Sequence, residues 1–153
     1  GADLAVGVNI TDSLKFNLTA GYVGREYDKV DLAAPSNVIE GDKSQYTPDF
    51  TASASLAYDF NWGGNVGGMA RLDLSHADGF SVYLRTFPPQ PVLTTDALTY
   101  LNFRIGAMTD KWQVVLSADN LLDEKDAVFP GGAFALDTYS RPRMLSVRVG
   151  YSF

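Results

Sequence analysis

Apolar and polar residues alternate with period two along most of this chain, and the alternation breaks at regular intervals. Leu4, Val6, Val8 and Ile10 alternate against Asp3, Ala5, Gly7 and Asn9. After the turn signal Thr11-Asp12-Ser13, Leu14, Phe16, Leu18, Ala20 and Tyr22 alternate against Lys15, Asn17, Thr19 and Gly21. Successive side chains of a strand point to opposite faces, so each run predicts a strand with one apolar and one polar face. The short gap between them predicts a hairpin. A third strand carries Phe50, Ala52, Ala54, Leu56, Tyr58 and Phe60, and the cluster Asn61-Trp62-Gly63-Gly64-Asn65 turns it into a fourth with Ala70, Leu72 and Leu74. Leu101, Phe103, Ile105 and Ala107 mark a fifth, turned by Thr109-Asp110-Lys111 into a sixth with Trp112, Val114, Leu116 and Ala118. The last stretch, Met144 to Phe153, sets Leu145, Val147, Val149, Tyr151 and Phe153 against Met144, Ser146, Arg148, Gly150 and Ser152. That makes about seven strands. Three stretches without sustained period, about 26 to 48, 78 to 96 and 121 to 142, predict long polar loops; the second contains Pro88-Pro89-Gln90-Pro91, which cannot join a central ladder.

Three features of this pattern select a fold class. The predicted strands run to roughly 9 to 12 residues, against about 5 to 6 in an average soluble protein and about 9 to 11 for a tilted membrane strand. Loops alternate short and long, which gathers the tight turns at one end of the sheet and the long loops at the other, as in outer-membrane barrels. Aromatic residues collect near the short turns, at Phe60, Trp62, Trp112, Tyr151 and Phe153, where an interfacial girdle would sit. The expected fold is therefore all-β, an antiparallel transmembrane β-barrel segment, with long loops outside and short turns at the periplasm. Seven strands leave two unpaired edges that lipid cannot hydrate, so the chain is expected to be part of a larger barrel.

Composition narrows the function. The 153 residues are 46% hydrophobic, yet mean hydropathy is −0.05 and no apolar run approaches the roughly 18 residues of a spanning helix. Barrel strands give this average, because every second residue faces the lumen. A net charge of −6 disfavours a nucleic-acid partner. Without cysteine there is no disulfide or thiol chemistry.

Candidate chemistry is sparse. Ser75, His76 and Asp78 are close in sequence, but Ser75 and His76 point to opposite faces of a strand and cannot share a proton. The single histidine leaves no histidine-rich metal site. Asp119, Asp123, Glu124 and Asp126 would hold a hard cation only if their loop folds back, and a solvated acidic loop is the simpler expectation. Neither Gly63-Gly64 nor Gly131-Gly132 has the context of a phosphate loop. The chain is thus read as no enzyme, with no catalytic residue, metal site or cofactor. Polar residues at Asp3, Lys15, Arg25, Arg71, Asp73, Arg104, Asp119 and Arg148 are expected on the inner side of the wall.

The run Leu101-Asn102-Phe103-Arg104-Ile105-Gly106, Trp112 after a short turn, Asp119-Asn120-Leu121-Leu122-Asp123, then Arg141-Pro142-Arg143 and the terminal Tyr151-Ser152-Phe153 resembles the C-terminal end of TonB-dependent outer-membrane receptors. In that family a strand ending in Asn-Leu-hydrophobic-Asp leads into an external loop, and a Pro-Arg pair opens the closing strand. The resemblance implies a roughly 22-stranded barrel with residues 1–153 as its C-terminal part, the plug domain lying outside this chain. It implies a bacterial outer-membrane location in a Gram-negative cell and uptake of a scarce nutrient, such as an iron–siderophore complex, cobalamin or a carbohydrate. It also implies as partners outer-membrane lipid, the remainder of the barrel and plug, TonB through the missing N-terminal part, and the barrel-assembly machinery. Val147, Val149, Tyr151 and Phe153 resemble the assembly signal of such closing strands. Asn120, Leu121, Asp123, Arg141, Pro142 and Arg143 carry the family motif, with a structural role expected because Asn and Asp satisfy backbone groups where a strand leaves a sheet. The ligand-binding residues are unknown. A passive porin or other outer-membrane barrel is the first alternative, a soluble ligand-binding β-barrel the second and an outer-membrane enzyme the third.

Overall fold

The computed structural model of the protein describes residues 1–30, 37–83, 92–131 and 136–153. Seven long strands form one antiparallel sheet: β1 (Ala2–Asn9), β2 (Leu14–Tyr22), β3 (Phe50–Gly63), β4 (Val66–Ala77), β7 (Leu98–Met108), β8 (Trp112–Asp119) and β11 (Met144–Tyr151). Their spatial order follows their order in sequence, each pairing with the next. Two short hairpins sit in the long connections, β5 (Ser81–Val82) with β6 (Leu93–Thr94), and β9 (Ala127–Phe129) with β10 (Thr138–Tyr139). Neither hairpin shows as periodicity in the sequence, because two or three residues are too few to alternate. Arg25, expected on the polar face, lies beyond the end of β2; its carbonyl accepts the Ser44 N–H at 3.0 Å. The Pro88-Pro91 run and Gly132 lie outside the described residues.

Register carries the two-faced pattern across the whole sheet. Val8, Phe16, Leu56, Leu72, Phe103, Ala118 and Leu145 stand in one cross-strand row, and Leu14, Tyr58, Ala70, Ile105, Leu116 and Val147 stand in the next apolar row. The opposite face reads Gly7, Asn17, Ser55, Asp73 and Asn102, with Asp119 paired to Met144. Among the described residues, none packs over the apolar face as a core would. Leu145, Val147 and Val149 are 78%, 66% and 59% exposed, and among the described residues no large side chain is fully buried. A water-soluble fold of this composition would hide this face in a core.

The short turns share a device. Thr11 Oγ1 accepts the N–H groups of Ser13 and Leu14, and Thr109 Oγ1 accepts those of Lys111 and Trp112, so each Thr-Asp turn closes its hairpin through a hydroxyl. The β3–β4 turn instead uses Gly63 and Gly64 at φ of 123° and 57°, values that exclude most side chains. Near this end the rings pack in pairs: Tyr58 on Phe60, Phe60 against Trp62, Trp112 against Tyr151 and Tyr151 against Phe153, with centroids 4.6 to 5.4 Å apart. Phe60 lies over Gly68 across the strand pair, where a Cβ would meet its ring.

Candidate functional site

At the long-loop end, the three connections are knit into one body. Tyr83 is only 6% exposed; its hydroxyl accepts the Lys43 N–H at 3.0 Å, and its own N–H donates to Gln45 Oε1 at 3.1 Å. The first and second loops are therefore joined through backbone as well as side chain. Tyr46, at φ 57°, donates its N–H to the Ser81 carbonyl, and its ring stacks on Phe129 at 5.8 Å and tilts against Phe80 at 6.0 Å. That ring brings in the third loop. Lys43 is ion-paired with Asp49, and this hydrogen bond holds its ammonium above the ordinary lysine range. None of this packing shows as periodicity. A reader of the sequence could have taken only the aromatic residues in otherwise polar loops as its signal.

The second loop depends on one close approach. A Cβ on Gly79 would run into the Thr95 carbonyl oxygen, where Phe80 and Thr95 exchange hydrogen bonds. Gly79→Ala is expected to cost about 1 to 3 kcal/mol locally, as overpacking does. Hydrogen exchange should show the Phe80 and Thr95 amides losing protection while those of β4 and β7 keep theirs.

The motif Asn120-Leu121-Leu122-Asp123 forms a clasp where β8 leaves the sheet. Asn120 is 4% exposed and left-handed at φ 52°, with Asp123 at φ 57° closing the turn. The Asn120 side-chain amide donates to the carbonyls of Glu124 (3.0 Å) and Arg141 (2.8 Å), and its Oδ1 accepts the Glu124 N–H (2.9 Å). Its backbone N–H donates to Asn102 Oδ1 on β7 at 2.9 Å. Leu121 donates its N–H to the Leu101 carbonyl, and the Arg143 N–H reaches Asp123 Oδ1 at 3.4 Å. Both ends of the third loop are thus tied to the same corner of the sheet. Hydrogen bonds from Lys125 and then from the Arg143 amide hold the Asp123 carboxyl below the ordinary carboxylate range. Arg141 and Arg143 serve the clasp through their backbones, and among the described residues neither guanidinium has a carboxylate within ion-pair distance. Pro142 lies two residues before β11 begins. Beside the clasp a recess of about 540 Å³ opens on the polar face, lined by Tyr100, Asn102, Tyr139, Arg141 and Met144 among others.

The remaining candidates separate. Ser75 and His76 face opposite sides, and His76 spends its nitrogens on Thr99 Oγ1 (2.8 Å) and Asp78 Oδ1 (3.3 Å). Among the described residues no three potential ligands converge on a metal site. Asp119 stays in the sheet, Asp123 pairs with Lys125, and Glu124 hydrogen-bonds Asp126, raising the Asp126 carboxyl. The closing-strand residues Val147, Val149 and Tyr151 line up on the apolar face, with Phe153 beyond the end of β11 against Tyr151.

No family model matches the chain, and no curated protein does. Among solved structures, the ferric yersiniabactin uptake receptor FyuA from Yersinia pestis aligns over 99% of this chain with a TM-score of 0.76, at 14% sequence identity. The chain has the fold of a segment of a receptor barrel. It spans 23% of that receptor's length. The likeness to TonB-dependent receptors drawn from residues 101 to 153 therefore extends in fold to the whole seven-stranded sheet. The seven strands read from periodicity are the seven of this sheet, and the two-faced wall they predicted is the wall observed.

Proposed function

We propose that this chain is the C-terminal wall of an outer-membrane receptor barrel, whose complete protein imports a scarce nutrient with energy delivered through TonB. One observation carries the reading: an apolar face on which Leu4, Leu56, Leu72, Leu116 and Val147 lie exposed, opposite a polar one, in a sheet that shares its fold with an uptake receptor. From Phe50 to Phe60 the strand advances ten steps of about 3.4 Å, which a tilt of about 40° reduces to about 26 Å. That is the height of the lipid-facing band of a barrel, about 25 Å. The rest of the barrel and a plug would meet the two open edges and the polar face, and the knitted loops would border the external vestibule. An iron–siderophore complex is the first substrate class to test, in view of the neighbour's name, with cobalamin and carbohydrate next.

The test is uptake by intact cells. Deleting the gene should abolish accumulation of one labelled nutrient of these classes, and removing TonB should do the same. Uptake that needs the gene but is indifferent to TonB would leave a passive porin, and a protein found only in the soluble fraction would end the barrel reading.

Val147, Val149, Tyr151 and Phe153 are proposed as the signal read by the barrel-assembly machinery. Deleting Phe153 is expected to lower the amount of heat-modifiable barrel in the outer membrane severalfold. Unchanged assembly and yield would remove the signal role.

A further inference from the structure

The four basic residues of the seven long strands gather at one level of the polar face. Lys15, Ala57, Arg71 and Arg104 stand in one cross-strand row, continued by Ser117 and Ser146, and Arg148 lies two residues further along β11. In a chain of net charge −6, this grouping sets a cationic band against acidic surroundings. Arg71 and Arg104 are directly opposite across β4 and β7, an arrangement of like charges that destabilises a sheet unless it is neutralised. Arg71 is neutralised within its own strand, donating to both oxygens of Asp73 at 2.7 to 2.9 Å. Arg104 and Arg148 have no carboxylate within ion-pair distance among the described residues. They border a recess of about 360 Å³ together with Gln113, Ser117, Ser146 and Asp119. Two guanidinium groups against one carboxylate leave this recess with net positive charge. Its hydroxyl and carboxamide donors add neutral hydrogen bonds beside the planar forks that suit an oxyanion.

Resting on the barrel reading, we infer that the Arg104–Arg148 recess is a binding site for a carboxylate inside the lumen. That carboxylate comes either from a dissolved anionic solute or from an acidic side chain of the protein's own lumen-filling part. The test uses the full-length protein purified from outer membranes in zwitterionic detergent, with heat-modifiable mobility checked first. Loss of that mobility in the wild type would count against the barrel reading alone. Thermal unfolding is then followed with citrate as probe, against sodium chloride at matched ionic strength, in the wild type, Arg104→Gln/Arg148→Gln and Arg104→Lys/Arg148→Lys. Citrate is expected to raise the wild-type Tm, with its midpoint concentration at least tenfold higher in the Gln variant and close to wild type in the Lys variant; this identifies a site open to solute. A wild type indifferent to citrate, with Tm lowered by the Gln pair and restored by the Lys pair, identifies the protein's own side chain as the source. A Gln variant that matches the wild type in both Tm and citrate response overturns the inference, as does one that responds to citrate unchanged. If the double variant does not reach the membrane, Arg148→Gln alone is read in the same way.

Discussion

Asn120→Ala is expected to lower the stability of the assembled barrel by about 3 kcal/mol. Three side-chain hydrogen bonds disappear, the Glu124 N–H and the Glu124 and Arg141 carbonyls lose their partner, and alanine must hold a left-handed backbone at φ 52°. Companion variants separate these contributions. Asn120→Gly relieves the backbone while the three bonds stay lost, so it should recover about 1 kcal/mol of the deficit. Asn120→Asp should recover little, because it sets an acceptor against two carbonyls. Urea unfolding of the barrel in lipid vesicles supplies the measurement; an alanine variant within about 0.5 kcal/mol of wild type would show that the clasp is dispensable.

Leu56→Arg and Ser55→Arg should differ sharply although the two positions are neighbours. Leu56 sits between Phe16 and Leu72 at mid-height on the apolar face, and an arginine at the bilayer midplane of a barrel costs about 2 to 4 kcal/mol. Ser55 sits between Asn17 and Asp73 on the polar face, where an added guanidinium remains hydrated beside a carboxylate. Its cost should stay within about 0.5 kcal/mol. Folded yield in the outer membrane and urea midpoints report both. Equal losses at the two positions would mean that the apolar face does not meet lipid.

How much of this was legible in the sequence differs between wall and rim. The wall was legible because its rule is local: residue i and residue i+2 share a face, so Leu14 to Tyr22 discloses its orientation without a partner strand. The rim was not. Tyr46, Phe80 and Phe129 meet across three loops, and Tyr83 finds Gln45 and Lys43 across a separation that no window spans. Asn120 stands out by its motif, with backbone groups as its expected partners, and its side chain meets the Glu124 N–H and the Glu124 and Arg141 carbonyls. Its grip on the Arg141 carbonyl needs the loop's two ends to be adjacent, which spacing alone does not state. Arg25 shows the opposite error, an alternation extended past the last residue that pairs.

The unequal lengths of the turns also set an order for folding. Within β1–β2, β3–β4 and β7–β8 the register is fixed by the neighbouring turn, whereas β2–β3, β4–β7 and β8–β11 must bring together segments separated by residues 23–49, 78–97 and 120–143. Closing a loop costs roughly 0.6 kcal/mol more for each doubling of its length, so hairpins are the cheapest units to form and their docking is dearer. Pulse-labelled hydrogen exchange during refolding into vesicles is expected to protect the Leu14, Gly68 and Val114 amides before those of Thr51, Leu98 and Arg148. The wall would then grow by whole hairpins, each arriving with its lipid face already chosen.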